Sequence, residues 1–220
     1  MDPGQHTAVV AGATGLIGRQ VVESLQREKS YSKITILTRN STGITGDKII
    51  EKIIDFNKLD TEMTDVQADD IFCCLGTTMK QAGSKEAFRR VDYEYVIRLA
   101  EIFQKKKSRQ FLVVSAMGAD IRSTIFYNRV KGEMESTLKN IEFPVIHIFR
   151  PSLLLGNRKE KRTGEKLAAF FLKNLNFLFI GGLKKYRAIE SSIVAKAMVK
   201  MALSWGEGIF TYESEMIKKI

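Results

Sequence analysis

The feature that most constrains the fold is a glycine-rich turn near the amino terminus. Before it, Thr7–Ala11 is a short apolar run rich in β-branched residues, as expected of a buried strand. After it, apolar side chains recur at helical spacing from Leu16 onward. Gly12, Gly15 and Gly18 lie between the two, spaced G-x-x-G-x-x-G. Strand, glycine turn and helix in this order indicate a dinucleotide site, and a tight turn without a ligand is the alternative.

Each glycine of this turn has its own physical reason. Gly12 permits the tight turn, Gly15 lets the backbone approach a pyrophosphate, and Gly18 lets the helix pack on the strand. The N–H groups and the positive dipole end of the helix would then face the phosphates.

Strand-like and helix-like segments alternate along the chain of 220 residues, which predicts an α/β fold. The further predicted strands are Ile34–Thr38, Ile49–Ile54, Asp70–Leu75, Phe111–Ser115, Val145–Phe149 and Gly208–Tyr212. The predicted helices after the first are Lys85–Lys106, Thr124–Asn140 and Ser191–Trp205. We therefore expect a doubly wound parallel sheet, a Rossmann fold, in one domain over 1–220, with a small carboxyl-terminal region that covers the substrate.

The cysteine, histidine and apolar patterns exclude several classes of protein. Cys73 and Cys74 are neighbours in an apolar run and would point to opposite faces of a strand, so no disulfide between them is expected. His6 and His147 have no partners at metal-ligand spacing, so no metal site is expected. The opening residues do not resemble a signal peptide and no apolar run reaches membrane-spanning length, which predicts a cytoplasmic protein without a transmembrane segment.

The end of the second predicted strand indicates which dinucleotide binds. A carboxylate at this point usually accepts the ribose 2′-hydroxyl of NAD. Here the sequence has Arg39 and no acid, and an arginine can pair with a 2′-phosphate. We therefore predict NADP(H), and the alternative is a solvated loop arginine.

Two further strand ends are placed to line the adenine and phosphate side of the cofactor. Asp55 follows the third predicted strand, and Leu75, Gly76 and Thr77 end and follow the fourth. For Asp55 and the adjacent Phe56, a simple turn and a core aromatic residue are the alternative.

Three residues form a candidate catalytic group. Tyr127 and Lys131 are four residues apart on a predicted helix and so share one face. The nearby ammonium favours the phenolate form of Tyr127, which could exchange a proton with a carbonyl or alcohol oxygen. Lys131 could also hold the nicotinamide ribose, and Ser115, at a strand end twelve residues before Tyr127, could bond the same substrate oxygen.

These motifs carry a family resemblance. The glycine turn, Ser115 and the Tyr127–Lys131 pair resemble the short-chain dehydrogenase/reductase superfamily, in its extended or atypical branch. Further segments resemble the Tat-interacting-protein family of atypical, NmrA-like NAD(P)-binding members: 73–78, 91–96, 117–120, 130–133 and 150–155. The resemblance implies bound NADPH in a Rossmann fold.

The resemblance also implies cofactor contacts. By it, Thr14, Gly15, Leu16 and Ile17 cradle phosphate, Leu75 and Gly76 flank the adenosine, Pro151 and Leu154 lie beside the nicotinamide, and Arg162 reaches the cofactor. Two positions depart from the family pattern. Asn40 stands where a second arginine would strengthen a 2′-phosphate clamp, and Asp92 stands where many extended members have an asparagine that supports the catalytic lysine through water.

A basic and apolar insertion is predicted over the cleft at 156–190. Within it, 158–187 has nine basic and two acidic residues, which accounts for most of the formal net charge of +10. It is either a solvated rim or an entry funnel for an anionic cofactor or substrate. No nucleic-acid recognition pattern accompanies it, so no nucleic-acid partner is expected. Its phenylalanines could line an apolar pocket, form a dimer face or touch a membrane.

The sequence thus predicts an NADPH-dependent carbonyl reductase that acts on a small apolar or anionic substrate, as a monomer or homodimer. Two alternatives stay open. One is a regulator that binds NADP(H) and changes protein partners without chemistry. The other is an epimerase or dehydratase of sugar nucleotides.

Overall fold

The computed structural model describes residues 6–155, 187–204 and 206–220. The strands are β1 (His6–Ala11), β2 (Tyr31–Thr38), β3 (Ile49–Ile53), β4 (Asp70–Cys73), β5 (Gln110–Val114), β6 (Val145–Arg150), β7 (Leu154–Leu155), β8 (Ile189–Glu190) and β9 (Gly208–Glu213). The helices are α1 (Leu16–Arg27), α2 (Leu59–Glu62), α3 (Met79–Ala82), α4 (Lys85–Arg89), α5 (Tyr95–Lys105), α6 (Phe126–Leu138), α7 (Ser191–Ala202) and α8 (Ser214–Ile217).

Seven strands form one parallel sheet in the order β3-β2-β1-β4-β5-β6-β9. The sheet grows outward in both directions from β1, whose Val10 pairs with Ile36 of β2 and with Phe72 of β4. This arrangement confirms the predicted doubly wound fold. The carboxyl ends of all seven strands meet at one edge, and the crevice at the switch between β1 and β4 opens there.

The core lies in two layers, one on each face of the sheet. On β1, Val9 and Ala11 face the layer under α2, α5 and α6, whereas Ala8 and Val10 face the layer under α1, α7 and α8. This alternation follows from the pleat, which sends successive side chains to opposite faces. Helices on both faces keep the parallel sheet buried, as such sheets require.

The structure adds the short elements α2, α3, β7 and β8 to the predicted ones, and two predicted elements differ markedly in extent. Strand β2 begins at Tyr31, three residues before the predicted start, where Tyr31 pairs with His6 of β1 and its hydroxyl donates to buried Asp70 at 2.5 Å. The predicted helix 85–106 is interrupted by a π-helical turn, Arg90–Glu94, between α4 and α5. Of the predicted insertion 156–190, positions 156–186 lie outside the described residues, and Arg162 with them.

Candidate active site

The glycine turn joins β1 to α1 at the carboxyl edge of the sheet. Gly12 has φ +88°, and a Cβ atom there would lie 2.5 Å from the Cys74 carbonyl oxygen. A Cβ atom on Gly18 would lie 2.2 Å from the Gly12 carbonyl oxygen. Both contacts are to backbone atoms that cannot move aside, so only glycine fits at either position. The first turn of α1 therefore packs directly against the turn that precedes it.

The first turn of α1 is open and fits a phosphate group. Thr14 and Gly15 are exposed, Leu16 is half-buried, and Ile17 is buried. Gly15 caps the helix without a side-chain hydrogen bond, and the first turn has no acidic residue. The leading N–H groups of a helix have no partners inside the helix and favour an anion. The four residues that the resemblance assigns to phosphate lie at this open first turn, and their contact with a phosphate stays a prediction.

The other strand ends bring most of the predicted cofactor residues to this edge. Arg39 follows β2, is exposed, and forms no ion pair with another residue of the described ranges. Asp55 follows β3, and its carboxylate accepts hydrogen bonds from the backbone and side-chain nitrogens of Asn57, each at 2.9 Å. Phe56 is buried. Asp55 thus forms a turn and Phe56 is a core aromatic residue, and contact of the exposed Asp55 side chain with a cofactor stays a prediction.

Further predicted cofactor residues lie at the carboxyl ends of β4 and β6. Leu75 is half-buried, Gly76 is exposed, and the N–H of Thr77 donates to the side chain of Asp92. Pro151 is buried directly after β6, and its carbonyl accepts a bond from Met117. Leu154 is half-buried in β7, which pairs with β8 beside the main sheet.

Tyr127 and Lys131 lie on α6 with different exposure. Tyr127 is 37% exposed, and its ring lies 5.7 Å from the ring of Phe88 on α4. Lys131, one turn further along the helix, is buried, and its Nζ is 2.8 Å from Oδ1 of Asp92. The structure therefore places the exposed side chain of Tyr127 one helical turn from the buried ammonium of Lys131, which forms an ion pair with Asp92.

Asp92 lies in the π-helical turn between α4 and α5, and its carboxylate is buried against α6. One oxygen of Asp92 pairs with Lys131, and the other accepts the Thr77 N–H at 2.8 Å. The carboxylate thus contacts Lys131 directly, whereas the asparagine of the family pattern acts through water. π-Helical turns inside α-helices are often found at functional sites.

The ion pair with Asp92 determines the protonation state of Lys131. Burial alone would lower the pKa of the ammonium, but the neighbouring Asp92 and Tyr127 raise it above its ordinary value. Lys131 therefore remains charged at neutral pH, and the charge is balanced by Asp92.

Ser115 lies directly after β5, at the predicted strand end. Its hydroxyl is buried and donates to Glu135 of α6 at 2.5 Å. Arg150, at the end of β6, binds the same carboxylate through Nε and Nη2 at 2.9 and 2.5 Å, and Glu213 at 3.0 Å. The Ser115 hydroxyl proton is therefore directed at Glu135 in this structure, and the bond from Ser115 to a substrate oxygen stays a prediction.

The sequence reasoning missed Glu135. A signal was available, because Tyr127, Lys131 and Glu135 follow one another at intervals of four and so share one face of α6. The Glu135 carboxylate is buried. A buried carboxylate needs a cation beside it, and Arg150 is that cation.

Comparison with known proteins identifies the family. A model of the HIM1 family matches residues 29–179. The rat protein HTATIP2 is 33% identical over 203 residues, which cover 90% of this chain and 82% of that protein. The chain belongs to the HIM1 family. The resemblance drawn from the sequence motifs is thereby confirmed.

Fungal proteins named FMP52 are also similar to this chain. The protein from Candida albicans is 30% identical over 199 residues, covering 88% of this chain and 86% of that protein. The protein from Emericella nidulans is 28% identical over 213 residues, covering 94% and 91%. Both names include the word mitochondrial, which does not agree with the predicted cytoplasmic location.

Solved structures share the fold of this HIM1-family chain at low sequence identity. One is a UDP-N-acetylglucosamine 4-epimerase from Methanobrevibacter ruminantium, with a TM-score of 0.70, 15% identity, and coverage of 96% of this chain and 77% of that one. Another is the enzyme WbmG of Bordetella bronchiseptica in complex with NAD, with a TM-score of 0.69, 14% identity, and coverage of 97% and 75%. Among the described residues, no helix is both long and apolar enough to span a membrane.

Proposed function

We propose that this HIM1-family protein binds NADP(H) at the carboxyl edge of its sheet and reduces a carbonyl group of a small molecule. Membership of the family and the fold support a nicotinamide dinucleotide protein of the oxidoreductase type. The observation that carries the reaction is the Tyr127–Lys131–Asp92 arrangement, which lies on the same sheet edge as the glycine turn. A single domain over 1–220, with 156–190 above the cleft, remains part of this proposal.

The cofactor residues divide into three groups. Gly12, Thr14, Gly15, Leu16, Ile17 and Gly18 would hold the pyrophosphate; Arg39 the 2′-phosphate; and Asp55, Leu75, Gly76, Thr77, Pro151, Leu154 and Arg162 the remaining parts. Support comes from the open first turn of α1, which carries no acidic residue. Support for NADP(H) over NAD(H) comes from Arg39, whose guanidinium is exposed and has no carboxylate partner in the described chain.

The proposed chemistry uses few side chains. When bound, the nicotinamide supplies the hydride that reduces the carbonyl carbon. Tyr127 gives its hydroxyl proton to the carbonyl oxygen, since it is the accessible acid of α6. Lys131 donates to the ribose hydroxyls and stabilises the phenolate left on Tyr127. Ser115 supports the site from within through Glu135, so substrate contact falls to Tyr127.

Tyr127→Phe tests the proposal. The variant keeps the ring that packs on Phe88 and loses only the hydroxyl. We expect NADPH affinity to stay within about twofold and carbonyl reduction to fall by at least about 100-fold, as for loss of a general acid. The measurements are NADPH fluorescence titration and NADPH oxidation with a panel of aldehydes and ketones. Turnover that survives in the variant would refute the role of Tyr127.

A second candidate is a regulator that senses NADP(H) through protein partners. The balanced Asp92–Lys131 pair favours it, because the ammonium then does less to promote ionisation of Tyr127. Affinity purification in NADP⁺ and in NADPH separates the two candidates. Partners that change with the cofactor, together with no turnover on the carbonyl panel, would favour the regulator.

A further inference from the structure

We infer that Asp92 sets the relative affinity of this site for oxidised and reduced dinucleotide, by cancelling the charge of Lys131. The inference rests on the proposed NADP(H) site and extends it to the redox state of the cofactor. Asp92 is thus a specificity-determining residue that acts through Lys131.

The geometry makes Asp92 the counterion of Lys131. The two side chains are 1% and 3% exposed, and Oδ1 lies 2.8 Å from Nζ. Thr77 donates its N–H to the second oxygen and so fixes the carboxylate. Val114 offers a carbonyl oxygen at 3.5 Å from the same Nζ. Within the described ranges, no second carboxylate pairs with Lys131.

The other groups around Lys131 leave this balance unchanged. On β4, burial raises the pKa of the Cys73 thiol to about 12, so it is uncharged at neutral pH. On α6, Lys131 also faces Tyr127, which raises the pKa of the ammonium, whereas Glu133 pairs with Arg89 and Glu135 pairs with Arg150. Asp92 is therefore the carboxylate that balances the ammonium, and the two carboxylates of α6 are engaged in other ion pairs.

The two forms of the cofactor differ by one charge on the ring. The nicotinamide is cationic in NADP⁺ and neutral in NADPH, so a lone ammonium in a buried site would repel only the oxidised form. Asp92 removes this repulsion. The protein can therefore bind NADP⁺ about as readily as NADPH, and this balance should depend on the charge of residue 92.

The test compares dissociation constants of NADP⁺ and NADPH for the wild-type chain and two charge variants. Asp92→Asn leaves an uncompensated ammonium and should weaken NADP⁺ relative to NADPH by about tenfold. Lys131→Met leaves an uncompensated carboxylate and should shift the same ratio in the opposite direction. The double variant is neutral again and should return the ratio to the wild-type value. Glu133→Gln removes a carboxylate of the same helix and should leave the ratio unchanged.

The pH dependence gives a second signature. In Asp92→Asn, loss of the counterion leaves burial to lower the pKa of Lys131, so NADP⁺ affinity should recover as the pH rises from mildly acid to mildly alkaline values and the ammonium loses its proton. In the wild-type chain Asp92 keeps Lys131 charged, and the ratio should stay flat over the same interval.

The outcomes separate this inference from the proposed function. If both single variants weaken the two cofactor forms equally, Asp92 is only structural and the inference is overturned. If the wild-type chain binds neither form, the proposed function itself fails. If Asp92→Asn does not fold, Lys131→Met and the double variant still give the ratio, and a ratio equal to the wild-type value in Lys131→Met contradicts the inference.

Discussion

The Ser115 hydroxyl donates to the buried carboxylate of Glu135 at 2.5 Å, at the strand end where the sequence predicts a residue that contacts substrate. Ser115→Ala should therefore act on stability. Loss of a hydrogen bond to a charged, buried group costs about 1.5–3 kcal/mol of unfolding free energy. Urea unfolding measures this loss, and NADPH affinity should not change. Ser204→Ala, at an exposed serine, is the control. An unchanged unfolding free energy together with lost carbonyl turnover would instead return Ser115 to the substrate.

The glycine turn allows fold and cofactor binding to be separated. Gly18→Ala places a Cβ atom 2.2 Å from a backbone oxygen, and we expect a loss of at least about 3 kcal/mol of stability. Gly15→Ala meets the Gly12 oxygen at 3.2 Å, which a small backbone shift relieves, but its methyl group would occupy the phosphate cradle. We therefore expect Gly15→Ala to fold and to bind NADPH at least about tenfold more weakly. Thermal unfolding and NADPH titration of both variants check this, and full NADPH affinity in Gly15→Ala would contradict the cradle.

His147 should make the protein less stable in mild acid. It lies in β6, buried beside the Tyr212 hydroxyl at 2.9 Å, and burial lowers its pKa to about 4 from an ordinary 6.5. Between these values the unfolded chain binds a proton that the folded chain does not, so stability is present above pH 6.5 and is lost as the pH falls. Protonation of His147 alone should lower the free energy of unfolding by about 2 kcal/mol between pH 7 and pH 5.

A variant isolates this contribution from those of the many carboxylates. His147→Asn keeps a polar group near Tyr212 but cannot take up the proton. Its urea unfolding free energy should therefore fall by about 2 kcal/mol less than that of the wild-type chain between the two pH values. Equal losses in the two proteins would show that His147 is protonated in the folded state.

The part of the fold that the sequence predicts is the part that local pattern determines. The run Thr7–Ala11 and the three glycines specify a strand, a turn and a helix within twenty residues, and the structure has them there. Parallel order then follows from alternation of strands and helices. The sequence pattern does not predict the start of β2, because Tyr31 is held by pairing with His6 and by a bond to Asp70 across 39 positions, which no local pattern contains.

The site shows the same division. The ends of the strands can be predicted from the sequence. Arg39, Asp55 and Gly76 are therefore predicted at the carboxyl edge of the sheet, where the structure has them. The ion-pair partners of the charged groups could not be predicted from the sequence. Asp92, which pairs with Lys131, lies in a π-helical turn, and the spacing of apolar residues does not indicate such a turn. The spacing of Ser115 and Tyr127 along the chain predicts that both contact one substrate oxygen, but this spacing does not show that the Ser115 hydroxyl donates to Glu135.

The most direct test of the account is a fluorescence titration of the purified protein with NADPH and, separately, with NADH. The Arg39→Ser variant is titrated in the same way. Arg27→Ser is the matched control, because Arg27 lies at the end of α1 that is remote from the glycine turn. We predict that the wild-type chain and Arg27→Ser bind NADPH at least about tenfold more tightly than NADH, and that Arg39→Ser loses this difference. Equal affinity of the wild-type chain for the two cofactors would contradict the role of Arg39, and binding of neither would contradict the dinucleotide site itself.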